Sequence, residues 1–292
     1  MPSCRDLRFD RLNNSLSFAK IKMLPLRSIS LIPIGCRVRF EKFNLASAIS
    51  EELRRNRVKI KNGDVLVVSS KFVAVSEGRF VKLSGVRPTM RAKKIARQYK
   101  MLPSMVQLVL NESESLLGGI PGFLLAINTG VLTPNAGIDL SNAPEGWAIL
   151  YPKSPIHSAQ KLRRNLLLQI GREKEGKIDK LGVILSDSRV TPTRLGTIGV
   201  AIASAGIRPS IDMRGRKDLF ENTLKVTLAA LADQMATAAE ICMGEAKESI
   251  PVVLIRGVSQ AFVTPKTRFE KLMTISPEKC LIISGLKNGN RQ

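Results

Sequence analysis

The chain has 292 residues, 44% of them hydrophobic, enough to bury one large core or two small ones. Its 46 Lys and Arg against 24 Asp and Glu give a formal charge of +22, and the apolar content is too high for a disordered basic tail, so the charge sits on a folded body. The longest apolar runs, such as Val65–Val68 and Val252–Ile255, fall far short of the ~18–20 residues that cross a bilayer, which excludes a transmembrane helix and leaves no membrane partner.

Residues 1–22 lack the apolar stretch of a secretory signal, and Asp6 and Asp10 argue against a transit peptide. They read as a basic extension ahead of Met23, either disordered or a gene-call artefact. Arg27–Ile34 alternates as a strand, and Leu45, Ile49 and Leu53 share one face of a helix over Leu45–Asn56. Gly63-Asp64 is a turn feeding the β-branched strand Val65–Ser69, and Phe72-Val73-Ala74-Val75 reads as packed strand. Arg91–Tyr99 and Pro103–Leu117 are expected to be helices, the second with proline at its first position. Gly122–Asn128, Trp147–Leu150, Leu181–Ser186, Thr197–Ser204 and Pro251–Arg256 read as strands, and Ser158–Ile170 as a helix stopped by Gly171. Lys217–Met243 is expected to be the longest helix, with Leu224, Leu228, Leu231, Met235, Ala238 and Cys242 in one stripe and Gly244 as its C-cap. That stripe is a core seam or a dimer interface. Residues 266–292 form a basic, weakly patterned segment. The class is mixed α+β, without strict strand–helix alternation.

The commonest chemistries are absent. There is no GxxxxGK[ST] loop, GxGxxG or GxSxG, and His157, the single histidine, sits at a helix entrance where a surface role is the plainer one. Cys4, Cys36, Cys242 and Cys280 are far apart and make no zinc pattern, consistent with reduced thiols in a cytoplasmic protein. The acid-free basic stretch Arg79–Lys100 carries only Phe80 and Tyr99 as stacking faces, so a solvated surface is favoured over nucleic-acid binding. What remains is a set of acids at element ends. Asp187 terminates an apolar run, Ser188 follows it, Asp139 lies in a turn before Ser141 and Asn142, and Glu245 follows Gly244. Carboxylate and hydroxyl oxygens suit Mg²⁺ or Mn²⁺, which complete their shells with phosphates, although each acid taken alone is more often a turn former or cap.

The order of motifs resembles the coenzyme F420 γ-glutamyl ligase family. Gly63–Lys71 followed by Ser76-Glu77-Gly78-Arg79 resembles its opening motif, and Asn135–Asn142 its second. Ser158–Arg163, Gly182–Ser188, Arg216–Leu219, Ala232-Asp233, Met243–Ala246 and Val252–Gly257 follow in the family's order, placing a ligase-like domain at 23–265. The resemblance implies a mixed α+β ligase fold of two interleaved subdomains in an intertwined homodimer. It also implies a cytoplasmic enzyme that adds L-glutamate to coenzyme F420-0, with GTP as co-substrate and an acyl phosphate as intermediate. By that resemblance Asp139 and Asp187 would share one of two divalent ions (Mg²⁺ or Mn²⁺, with K⁺ as an additional cation), and Ser188 and Glu245 would hold the second. Ser70, Lys71, Asn142, Met243 and Gly244 would touch the nucleotide, and no catalytic residue is assigned.

Three departures stand out. Val75 replaces a family lysine and Ser76 an alanine. Arg189-Val190-Thr191-Pro192 stands where a glycine-arginine step is usual, and Glu41–Leu45 replaces a Gly-Asp-Asp-Leu loop. They leave open two alternatives: a diverged paralogue acting on another acceptor, or a nucleotide- or nucleic-acid-binding module without ligase activity.

Overall fold

The computed structural model describes residues 28–172, 178–259, 262–264 and 274–289. The expected extension at 1–22 and part of the 266–292 segment lie outside them. In chain order the elements are β1 (Ser30–Ile34), α1 (Leu45–Arg55), β2 (Val65–Ser69), α2 (Ser70–Ser76), β3 (Phe80–Lys82), α3 (Met90–Gln98), α4 (Pro103–Glu112), β4 (Ser115–Ile120), β5 (Phe123–Asn128) and β6 (Val131–Pro134). There follow β7 (Trp147–Ile149), α5 (Pro155–Arg172), β8 (Gly182–Val190), β9 (Thr197–Ala205), β10 (Ile211–Asp212), β11 (Leu228–Ala229), α6 (Leu231–Met243), β12 (Val252–Arg256) and α7 (Leu281–Gly289). The fold is mixed α+β, as the sequence indicates.

A five-stranded sheet in the order β1-β12-β2-β8-β9 organises the chain, and within it only β2 and β8 run parallel. Its central strands are apolar on both faces because both faces are covered. On one side Leu66, Val68, Val183 and Leu185 pack against Ile49 and Leu53 of α1 and Leu162 and Leu166 of α5. On the other, Val65, Val67 and Ile184 meet Leu231, Met235 and Ala239 of α6. Between α2 and α5 the chain builds a second core, in which Ala92 and Ala96 of α3 and Met105 and Val109 of α4 pack with Leu124 and Ala126 of β5.

Several expected elements are different in the structure. The helix expected over Lys217–Met243 begins only at Leu231. Upstream, Asp218 turns its carboxylate back to accept the backbone N–H groups of Phe220 and Asn222, and Glu221 sits at φ +63°. Such local side-chain bonds compete with helical ones, and residues 213–227 run as a ribbon extending β10 and β11, with the Met213 N–H on the Thr227 carbonyl. Among the described residues the longest helix is α5 at 18 residues, which starts at Pro155 and passes through Gly171. The helix expected to reach Leu117 ends at Glu112, where extended Ser113 lets Glu114 donate to Ile127 and begin the β4–β5 pairing. Phe72–Val75 is helix, not strand, within α2.

Candidate active site

Parallel pairing of β2 with β8 sets Ser69, the last residue of β2, beside Ser186 in the middle of β8, where the pairing of these two strands stops. One residue further, the Ser70 hydroxyl donates to Oδ1 of Asp187 at 2.7 Å. Asp187 does not end its strand as expected; β8 continues to Val190 after a bulge at Leu185/Ser186. Its carboxylate is largely enclosed, and burial raises its pKa above the ordinary carboxylate value, against the opposing pull of Arg189, Ser70 and Lys71.

Arg189 is the site's buried cation, with its side chain 5% exposed. Its Nε lies 3.1 Å from Oδ2 of Asp187, an ion-pair contact not aligned as a hydrogen bond. Its other nitrogens donate to the Leu132 carbonyl and the Tyr151 hydroxyl.

Asp139 arrives from the second core. An isolated antiparallel bridge to Ile149 holds its backbone, and the Ser141 N–H and hydroxyl both donate to its carboxylate, at 2.7 and 3.0 Å. Lys71, one residue into α2 from Ser70, places its ammonium 2.6 Å from Oδ2 of Asp139 and 2.8 Å from the Ser141 hydroxyl. Burial opposes ionisation of Asp139, but the Lys71 and Ser141 bonds prevail and lower its pKa. Asp139 adds to the upward shift of Asp187, and Lys71 pulls both carboxylates down.

Ser188, on β8, donates to Oε1 of Glu240 at 2.6 Å and lies 3.2 Å from Oε2 of Glu245, whose other oxygen accepts from Thr197 at 2.6 Å. Glu240 has a raised pKa, first through burial and then through Glu245 and Asp187.

The structure therefore gathers Ser70, Lys71, Asp139, Asp187, Ser188 and Glu245 of the expected set. Asn142 is exposed at φ +55°, one residue beyond Ser141. Met243 is only 8% exposed, with its side chain in the core under α6, and Gly244 is the C-cap of that helix just before Glu245. Among the described residues no three Asp, Glu, His or Cys side chains form an ion cage. The donors come as carboxylates with hydroxyls beside them, which fits Mg²⁺ or Mn²⁺ sharing its shell with phosphate oxygens. Arg189, Tyr151, Thr197 and Glu240 were missed by sequence reasoning. Glu240 did leave a signal, because Asp233, Thr237 and Glu240 put polar groups at four- and three-residue steps along a helix whose remaining residues, Gln234 apart, are apolar.

Residues 36–257 match the model of the F420-0:gamma-glutamyl ligase family. The coenzyme F420:L-glutamate ligase of Archaeoglobus fulgidus is 38% identical over 242 residues, covering 83% of this chain and 90% of that protein. The Methanopyrus kandleri enzyme of the same name is 36% identical over 236 residues, or 80% and 88% of the two chains. The Methanothermobacter thermautotrophicus one is 35% identical over 215 residues, or 73% and 82%.

Proposed function

The chain belongs to the F420-0:gamma-glutamyl ligase family, and we propose that its ligation of L-glutamate in coenzyme F420 biosynthesis takes place where β2 ends beside β8, with coenzyme F420-0 as acceptor, GTP as phosphoryl donor and divalent ions between them. One observation carries this reading. In a chain of formal charge +22, Asp139, Asp187, Glu240 and Glu245 gather here, and among the described residues Lys71 and Arg189 are the cations that act on them. A cluster of carboxylates in a basic protein repels a bare triphosphate, whereas it accepts one carried with divalent cations.

Asp139 and Asp187 would hold one ion, and Ser188 with Glu245 a second. Such ions neutralise charge on the transferring phosphoryl group. The rest falls to the chain's own residues. Lys71 holds Asp139 ionised and offers an ammonium to phosphate oxygens, and the Ser70 hydroxyl fixes the rotamer of Asp187. The acceptor carboxylate takes the γ-phosphoryl group, releasing GDP and forming an acyl phosphate. The glutamate amine then attacks that carbonyl, phosphate leaves with the acyl–oxygen electron pair, and the amine proton passes to solvent.

The proposal includes a homodimer. The ribbon between β10 and β11 carries Leu219 and Phe220 outward at 97% and 85% exposure, an apolar tip that a second copy would cover. Incubation with GTP, Mn²⁺, L-glutamate and coenzyme F420-0, read by product mass, tests the activity. A mass gain of one glutamyl unit with release of GDP is expected. GDP release with another acceptor and none with coenzyme F420-0 would replace the substrate assignment. Light scattering tests the dimer.

A further inference from the structure

Glu240 reaches the site through a gap left by a missing side chain. Gly199 of β9 is the register partner of Ser188 on β8. A Cβ at position 199 would lie 2.4 Å from the Ala236 carbonyl oxygen and 3.1 Å from Cβ of Glu240. Glycine there lets α6 settle onto the strand and lets the Glu240 side chain pass over β9 to β8. Two further contacts fix this docking: Oδ1 of Asp233 accepts the Ala201 N–H at 2.9 Å, and the Thr237 hydroxyl donates to the Gly199 carbonyl at 2.7 Å. Asp233, Thr237 and Glu240 thus form one polar seam along α6, and its last member ends on Ser188.

A serine hydroxyl has one proton to give and two lone pairs to offer. Ser188 faces two carboxylates, and the 2.6 Å contact takes the proton to Glu240. Oε2 of Glu245, at 3.2 Å, is also within hydrogen-bond reach of Ser188; with the single proton given to the shorter contact, it faces the serine lone pairs. Two acceptors at that distance repel, and a cation bridging them turns the repulsion into coordination. Thr197 holds the other Glu245 oxygen, which keeps Oε2 aimed at Ser188.

We propose that Glu240 is a positioning residue of this site: by accepting the Ser188 proton it turns the serine oxygen toward Glu245, and so prepares the oxygen pair that receives a divalent ion. Outer partners of metal ligands act in this way, and their loss costs roughly 10- to 100-fold in metal affinity. The inference rests on the proposed role of Ser188 and Glu245.

The test is a titration of the full-length protein with Mn²⁺ alone, followed by electron paramagnetic resonance and calorimetry, with thermal unfolding as a fold control. Glu240→Leu, which removes the acceptor at similar size, is expected to weaken Mn²⁺ binding about 10- to 100-fold. Glu240→Gln keeps a carbonyl acceptor for the Ser188 proton and is expected to stay within a few-fold of the parent. Adding Ser188→Ala to Glu240→Leu is expected to cost no more than Ser188→Ala alone, because both act on one oxygen. Unchanged binding in Glu240→Leu overturns the inference while leaving the ion site standing. So does a Gln variant as weak as the Leu variant, which would make charge the operative property, or full additivity in the double variant. A parent protein that binds no Mn²⁺ overturns both the ion site and the role of Glu240.

Discussion

Arg189 on β8 donates to the hydroxyl of Tyr151, and through that contact the strand carrying Asp187 is tied to the turn carrying Asp139. The Tyr151 ring lies against Gly137, where a Cβ would come within 2.3 Å of it and where φ is +78°. Neither the space nor the backbone conformation admits a side chain. Asp139 follows two residues later. The two carboxylates expected to share an ion therefore owe their juxtaposition to a tyrosine and an arginine that need touch no ligand.

Tyr151→Phe keeps the ring against Gly137 and removes the acceptor. One arm of the buried Arg189 guanidinium then lacks a partner, a loss of about 1–3 kcal/mol. The expected result is lower stability in urea unfolding together with weaker Mn²⁺ binding, although Tyr151 bonds to neither carboxylate. A variant equal to the parent in both measurements would show that the tie is incidental.

The strands β2 and β12 and the helix α1 were legible because each announces itself locally, through β-branched runs or a clean helical stripe. The ribbon at 213–227 and the strand β11 after it were not: Leu224 and Leu228 fit the helical period of α6 by chance, and what breaks the helix is the Asp218 side chain bonding its own turn. The acids of the site were legible as residue types, and motif order grouped them. Their convergence was not, because it depends on the parallel β2–β8 register and on the bridge between Asp139 and Ile149. Arg189 read only as a departure from the family, since a one-dimensional pattern does not show that its guanidinium folds back onto Asp187 and Tyr151.

Asp187→Asn is expected to abolish turnover, because an amide is a poor partner for a hard dication. The structure adds a cost in stability. Arg189 is buried against this carboxylate, and removing one member of a buried pair leaves a charge uncompensated, worth about 3 kcal/mol. Replacing both residues, as Asp187→Asn with Arg189→Met, should recover much of that stability and none of the activity. If the single variant matches the parent in chemical denaturation, the ion pair is not a structural element.

Asp233 gives a pH dependence whose sign follows from its surroundings. Burial raises its pKa above the usual 3.8, and the Ala201 N–H only partly opposes this. The unfolded chain releases this proton near the ordinary value and the folded chain at a higher pH, so between the two the folded state binds more protons. Its contribution to stability is therefore complete below the unfolded value and is lost as pH rises through the folded one. Asp233→Asn keeps an oxygen for Ala201 and removes the titration. Relative to the parent, the asparagine variant should gain stability as pH rises across that window and stay at least as stable at neutral pH. Urea unfolding at a series of pH values decides it; a constant difference between the two curves refutes the assignment.

Val75, where the family places a lysine, lies at 5% exposure on α2 beside Ile149, with Phe40, Phe43 and Phe80 packed around it. Val75→Lys has two outcomes: GTP binding tighter by about tenfold if no other cation serves the phosphates, or affinity little changed or reduced by charge repulsion if one does. The structure favours compensation, because Lys71 stands one helical turn earlier on α2 and already reaches Asp139. It also gives Val75 a task of its own. Ile149, which Val75 supports, is the bridge partner that holds the Asp139 backbone. A lysine at 75 would set an ammonium among aromatic rings and disturb that support, at a cost of about 3 kcal/mol for an uncompensated buried charge. The expected outcome is a lower melting temperature and GTP affinity that is unchanged or weaker, read by thermal unfolding and by calorimetric titration with GTP and Mn²⁺. Tenfold tighter GTP binding at an unchanged melting temperature would show that position 75 opens onto the phosphates and that Lys71 does not serve them.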